Sequence, residues 1–184
     1  VGFPGWHLEC SAMSVKYLGK HFDIHCGAID HIQVHHTNEI AQTEAITGKE
    51  WVNFWMHGEF LVFNSQKMSK SLGNYATLNT LIEDGYDALD FRFLCLGTHY
   101  KTPLNFTYDA LDSARISFNH LKDRILEIKD NLRDTKEKSK TSKYRKKFLE
   151  SINDDLNMPQ ALAVLWEVLK SNELGNKEKY LLAL

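Results

Sequence analysis

The sequence predicts an α/β layer that gives way to an all-α bundle. Residues 1–75 alternate short apolar runs with helical patterns, as strands and helices packed in layers do. Beyond Thr77 the pattern is helical. There Leu111, Ala114, Phe118, Leu121, Ile125, Ile128 and Leu132 recur at spacings of three and four, an apolar stripe on one helix face.

In chain order, a helix is expected from His7 to Leu18, stopped by Gly19. Phe22-Asp23-Ile24 reads as a strand that runs into a loop at Cys26-Gly27-Ala28. A second helix is expected from His35 to Ile46, ended by Gly48. Trp51–Met56 and Phe60–Phe63 read as strands leading into a loop around Lys67. The stripe from Leu111 to Leu132 is expected to be bundle core. Residues 134–147 carry seven basic side chains against two acidic, without apolar periodicity, and read as a solvated basic linker rather than a specific RNA contact. A final helix is expected near Pro159, capped by Asn157 and running through Leu169.

The 184 residues suffice for one domain or one and a half small ones with a sizeable core. A hydrophobic content of 43% and a charged content of 25% are those of a soluble globular protein. No run approaches the ~20 apolar residues of a membrane helix, and the start lacks a signal-peptide pattern. Three cysteines, Cys10, Cys26 and Cys95, make no disulfide framework, so a reducing cytoplasm is expected. The formal net charge of −2 does not advertise nucleic-acid binding, so any RNA surface must come from local clusters. The start at Val1-Gly2-Phe3-Pro4-Gly5, without methionine, and the stop at Leu184 are read as those of an internal portion of a longer protein.

Two groups of residues carry chemistry. Gln66-Lys67-Met68-Ser69-Lys70-Ser71-Leu72-Gly73-Asn74 sets two lysines three apart among small residues before a glycine. Such a loop can close over a polyphosphate with two point charges; the bland alternative is a solvated turn. His35 and Glu39 are four apart on an expected helix and leave one face together; with Cys10 they offer a thiolate, an imidazole and a carboxylate, all competent zinc ligands. His36, three before Glu39, shares that face, and spacing alone does not choose between the two histidines. Gly27 and Asp30 follow the first strand, where glycine permits close backbone approach and a carboxylate can accept from a ribose hydroxyl or an ammonium.

The lysine loop resembles the KMSKS signature of class I aminoacyl-tRNA synthetases, which stabilises ATP during adenylate formation. Gly5-Trp6-His7-Leu8-Glu9-Cys10-Ser11-Ala12-Met13, Phe22-Asp23-Ile24-His25 and His35-His36-Thr37-Asn38-Glu39-Ile40-Ala41-Gln42 precede it in order. Gly97-Thr98-His99-Tyr100 and the stretch from Asp154 to Leu162 follow. Together these closely resemble the cysteinyl-tRNA synthetase family over nearly all of the chain.

The resemblance implies the later half of a class I Rossmann-type catalytic domain followed by a helical bundle, the start of a DALR-type domain. Residues 1–75 would be the later catalytic half, 76–133 a helical connective and stem-contact region, 134–147 the basic linker, and 148–184 the start of the tRNA-binding domain. It implies one zinc ion held by Cys10, His35 and Glu39 plus a cysteine nearer the N-terminus with no counterpart here, and so chooses His35 over His36. It implies a substrate pocket with Trp6 and His25, where ordinary core tryptophan is the alternative for Trp6. It implies ATP with Mg²⁺ as substrate, met by Lys70 as main phosphate contact, Lys67 in support, and Gly27 and Asp30 at the nucleoside. Cysteine and tRNA(Cys) are the other expected partners, with a monomeric state.

The implied activity is cysteine–tRNA ligation through a cysteinyl-adenylate. The alternatives are a tRNA-independent cysteine ligase of mycothiol synthesis, or a catalytically retired paralogue acting as a binding module. The HIGH motif of the class lies upstream of residue 1, so this portion alone is expected to be inactive. Cys26 and Ala28 stand where many relatives have glycine, and Thr37 where many have glutamate.

Overall fold

The computed structural model describes residues 5–64, 66–67, 76–132 and 141–184. They fall into two compact units, residues 1–60 with 100–103, and residues 61–99 with 104–184.

The first unit is a βαβ arrangement preceded by a helix. Helix α1 spans Trp6–Leu18 and is ended by Gly19, whose φ of +95° is open to glycine. Strand β1, Phe22–Ala28, pairs in parallel with β2, Val52–Gly58, in the register Phe22↔Val52 through Ala28↔Gly58. The loop expected at Cys26-Gly27-Ala28 is therefore strand. Those residues pair with Met56, His57 and Gly58, a long-range partner that local turn propensity does not report. Between the strands come a 3₁₀ turn at Ile29–His31, a π turn at Ile32–His36, and helix α2, Thr37–Thr47. Gly48 closes α2 at φ +67°, its N–H donating to the Glu44 carbonyl at 2.8 Å. Trp51 is fully buried, and its backbone N–H donates to Glu44 Oε1 at 3.1 Å.

The second unit holds a small sheet and six helices among the described residues. Strand β3, Leu61–Phe63, pairs antiparallel with β4, Gln66–Lys67, and parallel with β5, Leu104–Phe106. The sequence reading did not anticipate β5, a three-residue strand inside an otherwise helical region. The helices are α3 (Leu78–Glu83), α4 (Ala88–Leu96), α5 (Tyr108–Asp130), α6 (Thr141–Asn153), α7 (Met158–Lys170) and α8 (Asn176–Ala183). The α5 stripe is core as expected: Leu111, Ala114, Leu121 and Ile128 are buried, with Phe118 and Ile125 packed beside them. Leu132 leaves the stripe, because α5 stops at Asp130 and Leu132 is exposed.

Residues 141–147, read from composition as linker, form the first half of α6, where Tyr144 is buried against Val168 and Leu174. One buried aromatic anchors that turn in a stretch too charged to show a period. Asn157 caps α7, its side-chain oxygen accepting from the Gln160 N–H at 3.2 Å. Among the described residues no helix is long and apolar enough to cross a membrane.

Candidate metal centre

The first unit buries an unusually polar interior. Glu39, in the first turn of α2, is fully buried, and His36 and Ser11 are nearly so. Helix α1 presents Cys10, strand β1 presents His25, and the π turn presents His35 and His36. The thiol sulfur of Cys10, a nitrogen of His35 and a carboxylate oxygen of Glu39 all lie within 4.8 Å of one another; so do the donors of His25, His36 and Glu39. The two groups share the Glu39 carboxylate. Its Oε2 lies 2.9 Å from His25 Nε2 and its Oε1 3.2 Å from His35 Nε2. Its close polar neighbours among the described residues are these two ring nitrogens and the Cys10 thiol.

Sheet register explains why these side chains converge. Position 25 pairs with 55 and position 27 with 57, so His25, Gly27, Trp55 and His57 occupy one face of the β1–β2 pair. His57 Nε2 lies 2.7 Å from His36 Nδ1, so one of the two nitrogens donates and the other accepts. The indoles of Trp51 and Trp55 pack against the His25 ring, with centroids 5.4 and 4.8 Å away. Gly27 leaves the space that His36 fills, since a Cβ there would stand 2.3 Å from His36 Cε1.

Burial sets the charge state of the group. It pushes the Glu39 carboxyl up to about 7. It pushes His36 down to about 4, with the neighbouring His25 and His57 adding to the shift. His25, His35 and His57 are also lowered, mainly by burial, and the Cys10 thiol is raised by burial and then by Glu39 beside it. Each group thus resists its charged form while its lone pairs face its neighbours. A buried carboxylate is costly to ionise, and a divalent cation removes that cost by accepting those lone pairs. The mixed sulfur, nitrogen and oxygen set of Cys10, His35 and Glu39 fits zinc.

The structure brings together Cys10, His25, His35 and Glu39 from the sequence expectation. Trp6 is 79% exposed at the start of α1, so it is not core tryptophan. Gly27 lies in β1 rather than in a loop, and Asp30 is exposed in the 3₁₀ turn that follows. Lys67 belongs to β4 in the second unit, and Lys70 lies outside the described residues. His57 was missed by sequence reasoning. Its only signal is the two-residue spacing from Trp55, which has meaning once the register with β1 is known.

Residues 1–116 match the family described as tRNA synthetases class I (C) catalytic domain. The chain belongs to this family. Residues 147–181 also match the DALR domain. Among curated relatives of this class I family, the cysteine–tRNA ligase of Treponema denticola is 45% identical over 96% of this chain. Cysteine–tRNA ligase 1 of Burkholderia lata is 49% identical over 93%. The chain spans 40% and 35% of those two proteins, respectively. Two solved structures share the fold. The Agrobacterium radiobacter K84 LeuRS complex with tRNA and LeuAMS has a TM-score of 0.66 at 18% identity, over 88% of this chain and 24% of that one. Methionyl-tRNA synthetase of Mycobacterium tuberculosis, bound by methionyl-adenylate, has a TM-score of 0.57 at 16% identity, over 88% and 38%.

Proposed function

We propose that this chain is the metal-bearing later part of the catalytic domain, with the start of the helical tRNA-binding region, of a cysteine–tRNA ligase. Such an enzyme activates cysteine with ATP to cysteinyl-adenylate and transfers it to the tRNA 3′ end. The carrying observation is the convergence of Cys10, His35 and Glu39, with donor atoms within 4.8 Å of one another around a fully buried carboxyl group. The names of the curated relatives support the same reading, and the match to a DALR domain favours tRNA over a small-molecule acceptor.

Cys10, His35 and Glu39 would hold zinc, which, when bound, takes a substrate thiolate well and a serine hydroxyl poorly. That difference exceeds what a shaped apolar pocket can supply between two such similar side chains. The rest of the work falls to the protein. His25, 2.9 Å from Glu39 Oε2, orients the carboxylate, and Trp51 and Trp55 pack against the His25 ring and hold it in place. Trp6 and His25 line the cysteine pocket. Gly27 allows backbone approach to the nucleoside, and Asp30 accepts from a ribose hydroxyl or the substrate ammonium. Lys70, supported by Lys67, steadies the triphosphate of Mg²⁺-bound ATP as pyrophosphate leaves, so that positioning and charge supply the rate. A monomer acting in the cytoplasm completes the proposal.

The test is ATP–pyrophosphate exchange on the full-length protein with cysteine or serine, with and without a zinc chelator. Cysteine-dependent, chelator-sensitive exchange is expected. Absence of exchange in zinc-replete protein would overturn the reading.

A further inference from the structure

The segment that delivers His35 and His36 is not regular helix. A 3₁₀ turn at Ile29–His31 passes into a π turn at Ile32–His36, and regular helix begins only at Thr37. Single π turns are rare and concentrate where side chains must be re-aimed. Here the turn sets His35 Nε2 3.2 Å from Glu39 Oε1 and His36 Nδ1 2.7 Å from His57 Nε2. Such a turn needs partners for the backbone groups that a regular ladder would pair.

Thr37 supplies two of them. Its N–H donates to the Val34 carbonyl, and its side-chain hydroxyl donates to the Ile32 carbonyl at 2.5 Å. The hydroxyl bond spans the whole π turn, from its first residue to the first residue of α2. His36, at the cap position of α2, makes no side-chain cap. Thr37 is exposed and is not among the converging donor groups.

We propose that Thr37 is a positioning residue for the metal centre, its hydroxyl tying the π turn in the shape that aims His35 and His36. This inference rests on the metal reading of the site. A β-branched side chain suits the task, because its restricted χ1 keeps the hydroxyl on the backbone carbonyl. Outer partners bonded directly to a ligand change metal binding by ~10- to 100-fold when removed, and Thr37, bonded to the turn that carries the ligands, is set at the low end of that range.

The test is a Co²⁺ titration of the metal-depleted protein, competed against a chromophoric chelator and read by the thiolate-to-cobalt band in the near ultraviolet and the visible bands. Thr37→Val is expected to lower Co²⁺ affinity ~10-fold and to change the visible bands, while Thr37→Ser retains both near wild type. Thr47→Val is the control. Thr47 makes the same kind of bond at the far end of α2, its hydroxyl donating to the Thr43 carbonyl at 2.9 Å, away from the centre. Wild-type affinity and spectrum in Thr37→Val would overturn the inference. So would an equal loss in Thr47→Val, which would make the effect one of helix stability, or a full loss in Thr37→Ser. A wild-type protein that gives no thiolate band would overturn the metal reading and this inference with it, and is told apart by failing before any substitution.

Discussion

Gly27 and Glu39 show how single residues create this site. At Gly27 a methyl group would meet His36 Cε1 at 2.3 Å and His31 Nδ1 at 2.8 Å, and both belong to the turns that follow the strand. Gly27→Ala is therefore expected to destabilise the metal-free protein by about 1–3 kcal/mol through overpacking. A lower urea midpoint checks it, and an unchanged midpoint would show that His36 yields freely. Glu39 gives the opposite expectation. Its carboxyl is fully buried and pushed up to about 7 by that burial, so its ionised form opposes stability unless a cation is present. Glu39→Gln keeps the shape and removes the charge. The metal-free variant should melt no lower than metal-free wild type, yet gain nothing from zinc, whereas wild type should be stabilised by it. Thermal melts with zinc and with chelator read both effects, and a metal-free variant melting several degrees lower would contradict the account.

Secondary structure was legible where the cause is local. Gly19 and Gly48 each sit at positive φ at a helix end, and the 3–4 spacing from Leu111 to Ile128 is the buried face of α5. The cap at Asn157 was legible for the same reason. Helix α7 contributes Ala161, Val164, Val168 and Leu169 to the interior, so fraying at its start loosens that packing. Asn157→Ala should cost about 1 kcal/mol, seen as a lower denaturant midpoint, and an unchanged midpoint would show that the cap contributes nothing. What stayed hidden depends on partners far along the chain. Cys26-Gly27-Ala28 resemble a turn in isolation and become strand by pairing with β2. Strand β5 has three residues and exists through its pairing with β3. The π turn has no sequence signature of its own, and it decides where His35 and His36 point.

Across the whole molecule, the donor set was legible in part. His35 and Glu39 do meet, but His35 lies in the π turn and not, as expected, on a helix starting at His35, since α2 begins at Thr37; resemblance supplied Cys10. The resemblance also named His25, but its meeting with His36 and His57 needed the fold, because it is assembled across the sheet register. The family match covers residues 1–116, and the DALR match at 147–181 falls on α6, α7 and α8. Both units are thus parts of a synthetase architecture, and the candidate metal-binding groups lie wholly within the first.

The central claim is that Cys10, His35 and Glu39 hold zinc, and X-ray absorption at the zinc edge of the full-length protein tests it most directly. The account predicts zinc with sulfur at ~2.3 Å and nitrogen or oxygen at ~2.0–2.2 Å, the metal or its sulfur shell diminished in Cys10→Ser. A zinc spectrum with no sulfur, or one that Cys10→Ser leaves unchanged, would contradict it.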